Sequence, residues 1–148
     1  MSIRLCTGDL LASKCDILVN TVNCVGVMGA GIAKQFKTRY PSMFKQYKED
    51  CTRGSILPGM IREYNVDNKI VINMATKDHW NNPSKIEWIS VGLDMLCIYL
   101  NGTSYSIAIP AIGCNNGGLD WNVVAPLIHN KLGMLSNGIE LYTPLRMR

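Results

Sequence analysis

The chain has few of the features that mark a membrane, secreted or metal-binding protein. Among its 148 residues no apolar run approaches the length of a membrane span, and the N-terminus, MSIRLCTGDLL, has no signal-peptide apolar core. A soluble, cytoplasmic protein is expected. Six cysteines stand at positions 6, 15, 24, 51, 97 and 114, but none are spaced C-x-x-C, and the only histidines are His79 and His129. No metal site is therefore expected. The cysteines read as reduced structural thiols, with Cys6 and Cys97, in apolar runs, expected to be buried; a catalytic thiol is the alternative. No internal repeat, low-complexity segment or linker is visible, which fits one domain over 1–148. Both common phosphate-binding fingerprints, G-x-x-x-x-G-K-[ST] and G-x-G-x-x-G, are missing.

What is present is ordinary globular material: 47% hydrophobic residues and 18% charged, too apolar for disorder. A chain of this size buries about 68–70% of its unfolded surface, so no staple is needed. Short runs rich in Ile, Val, Leu or Tyr predict strands at Ile3–Cys6, Asp16–Asn20, Ile61–Asn65, Ile70–Met74, Ser106–Ile109 and Ile139–Tyr142. Helices are predicted over Gly31–Tyr40, Pro41–Cys51, Pro83–Leu100 and Asp120–Leu135, with Asp120 as N-cap and Pro126 a candidate kink. This order predicts an α/β domain whose sheet is largely parallel or mixed and lies between helical layers.

Glycine is concentrated where strands run into helices. Gly26, Gly29 and Gly31 follow the second predicted strand, and Gly113, Gly117 and Gly118 follow the fifth. In open α/β sheets ligands bind beyond the carboxyl ends of strands. Glycine lets successive backbone N–H groups line one hollow, and a helix N-terminus adds partial positive charge. Each loop alone also fits a tight connection; two at equivalent strand ends point to a pyrophosphate. Asp9, Asn20 and Asn23 lie at the same edge, as ligand contacts or as turn caps. Lys77 also leaves a strand end. Its amine is a phosphate contact or, if desolvated, a nucleophile. The net charge of +4 is uneven: Lys34, Lys37, Arg39, Lys45, Lys48 and Arg53 follow the first glycine loop, either as a basic flank for an anionic partner or as a solvated helix face.

Three segments, "GDLLASKCDILVNTVNCVGVMGAGIAKQFKTRYP", "TKDHWNNPSKIEWI" and "IPAIGCNNGGLDW", together resemble the macro domain family. They are in the family's order, and the likeness covers nearly the whole chain. Within the family the chain is most similar to the DNA ADP-ribosyl glycohydrolase (DarG-type) antitoxins and the related terminal ADP-ribose protein glycohydrolase. The resemblance implies a three-layer α/β/α sandwich with a mixed sheet that binds ADP-ribose. It places Asp9 at the adenine with Tyr142 and Asn23 near the distal ribose, with Leu10 and Asn20 as further ADP-ribose contacts. The segment Gly26 to Ala33, with Gly29, Gly31 and Ile32 as contacts, would be a first loop wrapping the diphosphate and the distal ribose. Gly113, Cys114, Asn115, Asn116, Gly117, Gly118 and Leu119 would form the second, cradling the diphosphate from the other side, with Pro110 and Ile112 as contacts before it. Lys77 is the residue on which cleavage would depend.

The implied activity is hydrolysis of the ADP-ribosyl linkage to modified DNA or protein, with no cofactor and with ADP-ribose as product. An ADP-ribose 1″-phosphate phosphatase and a non-catalytic ADP-ribose reader are the alternatives. One position departs from the protein-directed relatives: their second loop carries a catalytic aspartate where this chain has Gly117, as the DNA-directed antitoxins also do. His79 and Trp80 and the basic flank favour a nucleic-acid carrier, with a single-stranded DNA contact expected from base stacking on Trp80; loop packing is the alternative role for both rings. A monomer is the default.

Overall fold

The computed structural model describes residues 3–144. Its elements are β1 (Ile3–Cys6), a short 3-10 turn at Leu10–Ala12, β2 (Ile17–Val22), α1 (Gly31–Arg39), α2 (Pro41–Thr52), β3 (Ile61–Val66), β4 (Lys69–Ala75), α3 (Ile86–Leu100), β5 (Ile107–Ile109), α4 (Trp121–Leu132) and β6 (Ile139–Tyr142). The six strands form one sheet in the order β1-β6-β5-β2-β4-β3. All neighbours are parallel except β3, which pairs antiparallel with β4 through a two-residue turn. That turn is Asp67-Asn68, both with positive φ (49° and 62°), as a tight hairpin that follows strand twist requires.

The strands alternate between two cores. Ile17 and Val19, Ile72 and Met74, Ile107 and Ile109, and Ile139 and Leu141 face α3 and α4. Leu18 and Val22, Val71 and Ala75, Ala108 and Tyr142 face α1 and α2. Coverage on both faces explains why these strands read as nearly unbroken apolar runs. Helix α3 buries Ile89, Leu93, Leu96 and Leu100, at helical spacing. It approaches β4 so closely that a Cβ on Gly92 would lie 2.7 Å from Met74 Sδ. In α4, Asp120 accepts a capping hydrogen bond from Asn122 N at 2.9 Å, and the helix runs through Pro126 as one element.

Several boundaries differ from expectation. β2 extends two residues beyond Asn20, and α3 begins at Ile86 rather than Pro83. Cys6 and Cys97 are only half-buried, whereas Cys15 and Cys114 are the buried thiols. Apolar sequence neighbours overstated their burial: Cys6 lies in an edge strand, and Cys97 packs only partly buried against the α3–α4 core. Among the described residues no helix is long and apolar enough to cross a membrane, and no three His, Cys, Asp or Glu side chains gather to hold a metal.

Candidate functional site

β2 and β5 are adjacent and parallel, but the chain leaves them toward opposite faces of the sheet. From β2 it goes to α1 and α2, and from β5 to α4. Such a switch point opens a crevice beyond the carboxyl ends of the strands. A cleft of about 850 Å³ lies there, and both glycine loops line it. Along this edge the sheet order sets the order of groups. Asp9 follows β1 and Tyr142 ends β6; the second loop follows β5, the first follows β2, and Lys77 follows β4. From β6 to β4 is roughly 14 Å at three strand spacings.

The first loop is tied down by side chains. Asn23 Oδ1 accepts from Val25 N at 3.0 Å and Val27 N at 3.4 Å, while its amide donates to Val27 O at 2.8 Å. The hydroxyl of Tyr47, buried on α2, donates toward Asn23 Oδ1 and Asn23 O, each at 2.8 Å. Asn23 therefore lines the cleft while its amide is spent on shaping the loop. Gly26 takes φ +86° beneath the Lys48 stem. Helix α1 then starts at Gly31 with Ala30 as its N-cap and no side-chain cap. Gly29, Ala30, Gly31, Ile32 and Ala33 line the cleft, so the uncapped first turn faces it. Such a turn carries orphan N–H donors and the positive end of the helix dipole, which suit an anion.

The second loop is held by backbone bonds and contact. Leu119 N donates to Gly113 O at 2.9 Å, Cys114 N to Ala111 O at 3.0 Å and Ser84 N to Gly117 O at 3.0 Å. A Cβ on Gly117 would meet Ser84 Oγ at 2.4 Å and Gly113 O at 2.5 Å, so this position has no room for the aspartate of the protein-directed relatives. The loops approach each other where Asn116 covers Gly31, whose Cβ would stand 2.6 Å from Asn116 Nδ2. Pro110, Gly113, Asn115, Asn116 and Gly117 line the cleft. Ile112 and Cys114 are buried behind it. Gly118 and Leu119 lie outside its lining.

At the β1–β6 end, Asp9, Leu10 and Tyr142 line the cleft. One Asp9 oxygen caps the 3-10 turn by accepting from Leu11 N at 3.0 Å; a carboxylate keeps a second acceptor oxygen for other partners. Burial, together with the Glu140 carboxylate that its hydroxyl bonds at 3.0 Å, pushes the Tyr142 phenol up to about 12. At the other end, Lys77 is half-buried in the cleft wall, and its Nζ donates to Trp80 O at 3.3 Å. Burial pushes its ammonium below the usual lysine range. The neighbouring segment is locked to the first loop by Cys24, whose amide donates to Asp78 O at 3.1 Å and whose thiol donates to Lys77 O at 3.3 Å. Trp80 is 55% exposed at the lip, with the His79 ring 5.3 Å away.

Asn20 is the residue the structure moves away from the rest. It is fully buried inside the α1–α2 core, pairs with Asn73 at 3.1 Å across β2 and β4, and lies beneath Met28. It does not line the cleft. Thr21, Gln35, Thr76 and Ser84 do line it and were not among the expected site residues. Thr21 and Thr76 had a readable signal, since each stands at a strand's exit; Gln35 and Ser84 had none.

A parallel-sheet switch point, two glycine loops and an uncapped helix start define a site for an extended nucleotide with charge at its middle. The sequence profile of the family described as Macro domain matches residues 19–128. The chain belongs to that family. It is 47% identical over 125 residues to a DNA ADP-ribosyl glycohydrolase of Mycobacterium tuberculosis, covering 80% of this chain and 35% of that protein. Among solved structures it is similar to the macrodomain of Mycobacterium tuberculosis DarG, with 42% identity, a TM-score of 0.90 and coverage of 96% and 97% of the two chains. It is also similar to Thermosipho africanus DarTG in complex with ADP-ribose, with 30% identity, a TM-score of 0.92 and coverage of 99% and 43%. The chain thus spans about a third of the length of the Mycobacterium tuberculosis glycohydrolase.

Proposed function

We propose that this macro domain binds ADP-ribose in the cleft and hydrolyses its linkage to modified DNA, with Lys77 as the catalytic residue. The observation that carries this reading is the position of Lys77. It is half-buried in the cleft wall, one strand beyond the loops suited to the diphosphate, where the distal ribose of a nucleotide with its adenine at Asp9 and Tyr142 would end. Cleavage at the anomeric carbon develops positive charge on the sugar. The bound pyrophosphate helps stabilise that charge, while the loops fix the geometry. Burial lowers the Lys77 ammonium pKa, the direction that eases attack by its free amine on the anomeric carbon. The ring C–O bond and the bond to the base break, and the amine's two protons pass to the ring oxygen and the departing base. Water hydrolyses the resulting Schiff base to release ADP-ribose.

DNA as carrier is supported by the name of the relatives at this level of identity, and by the exposed Trp80 indole at the lip, against which an unpaired base can stack. The basic α1–α2 flank adjoins the first loop through the Lys48 stem at Gly26. We propose a monomer, since residues of this one chain supply both glycine loops and Lys77.

The test incubates the protein with ADP-ribosylated single-stranded DNA, ADP-ribosylated protein and ADP-ribose 1″-phosphate, each beside a Lys77→Ala control. Release of ADP-ribose from DNA is expected, and the substitution should lower it about 10²–10⁴-fold while leaving ADP-ribose affinity nearly unchanged. Equal loss of turnover and affinity would reduce Lys77 to a phosphate contact. No product from any substrate would leave a reader. A neutral amine also fixes the sign of the pH dependence: turnover should rise with pH through the lowered lysine pKa. A fall over that range would make Lys77 a proton donor instead.

A further inference from the structure

Ser84 is 4% exposed, and its hydroxyl has no hydrogen-bond partner among the described residues. Nothing in the mechanism above uses it. A buried hydroxyl without a partner has lost its water and gained nothing, so it is costly. Such groups persist where a bound partner later satisfies them. Ser84 is in the cleft lining, on the same post-β4 segment as Lys77 and Trp80. The turn at Gly117 lies against its hydroxyl: Oγ is 2.4 Å from where a Cβ on Gly117 would be. The two segments meet as a seam, joined by the Ser84 N to Gly117 O bond. The turn has no side chain at Gly117 or Gly118 to anchor it, and nothing stands within 4 Å of a Cβ built on Gly118. Opening this seam breaks the Ser84 N to Gly117 O bond and uncovers the hydroxyl.

We propose that Ser84 is a substrate-binding residue: the distal ribose of ADP-ribose enters the seam, displaces the Gly117 turn and exchanges a hydrogen bond with Ser84 Oγ. The inference rests on the ADP-ribose reading of the cleft but not on hydrolysis. It assigns the ribose rather than the diphosphate because Ser84 is on the post-β4 segment with Lys77, where that segment meets the Gly117 side of the second loop.

The test compares Ser84→Ala with the parent chain in two measurements. Calorimetry with ADP-ribose and with ADP, which lacks the distal ribose, locates the contact. ADP-ribose should bind about tenfold more weakly to the variant, a loss the size of one hydrogen bond, while ADP binds as before. Thermal melting without ligand should show the variant at least as stable as the parent, because the substitution removes an unsatisfied group. Ser84→Cys, which keeps a side chain of similar shape but bonds poorly, should show the same pair of results.

Unchanged ADP-ribose affinity would overturn the proposal, as would equal loss for ADP and ADP-ribose. A lower melting temperature in both unliganded variants would make the hydroxyl structural. Should the parent chain bind ADP-ribose but release nothing from modified DNA, the hydrolase reading fails while the Ser84 comparison still gives its answer.

Discussion

The two glycine loops face each other across one cleft but are built on different principles. The first is a side-chain construction: Asn23 folds it from within, and Tyr47 reaches up from α2 to hold Asn23. The second is a backbone construction, fixed by carbonyl–amide bonds and by contacts too close for a side chain at Gly117. A loop held by side chains loses its bonds one at a time when it is mutated. A loop held by close approach has no such partial states, because one added carbon must push the backbone itself.

Gly117→Ala should therefore be the most damaging change at the cleft. Its Cβ would stand 2.5 Å from Gly113 O, a backbone atom with nowhere to go, as well as 2.4 Å from Ser84 Oγ. Overpacking of this kind costs about 1–3 kcal/mol, and the loop must distort to accommodate it. Loss of stability in a denaturant titration and at least tenfold weaker ADP-ribose binding are expected. A variant that melts and binds like the parent would show that the second loop is softer than these contacts imply.

Tyr47→Phe should have a smaller effect. It removes the hydroxyl that bonds Asn23 O and Oδ1, but Asn23 Oδ1 keeps its contacts with Val25 N and Val27 N. A cost of about 1 kcal/mol is expected, with a several-fold loss of ADP-ribose affinity. No change in affinity would mean that the internal bonds of Asn23 shape the first loop without help from α2.

The loops also differ in how far they could be read in advance. Their glycines were legible because backbone approach leaves a mark in composition, and the sheet and its two helical layers were legible because short unbroken apolar runs and helical spacing leave marks too. Asn20 misled for a specific reason. The predicted strand stopped there, but β2 runs on to Val22, so Asn20 points into the α1–α2 core beside Asn73 and the strand exit falls at Thr21–Asn23. Ser84 left no mark for a related reason. The helical pattern suggested a start at Pro83, whereas α3 begins at Ile86 and the extended residues before it press Ser84 against Gly117. Tyr47 read as a helix-face apolar residue because its hydroxyl contact is to a loop 24 positions away in sequence.

Gly29→Ala should have the smallest effect on the fold and is the sharpest test of what the first loop is for. Gly29 is not among the residues with positive φ, and a Cβ there would lie 3.6 Å from Val27 Cγ1, an ordinary contact. Nothing in the unliganded protein demands glycine at this position. Replacing it with alanine restricts the unfolded chain, so stability should hold or rise by up to about 1 kcal/mol. Yet Gly29 lines the cleft just before the uncapped start of α1, where an added methyl would stand between the backbone and a diphosphate. The expected signature is an unchanged or higher melting temperature with weaker ADP-ribose binding. A loss of stability would return this glycine to the fold. Unchanged affinity would move the diphosphate away from the first loop, leaving the second to hold it alone.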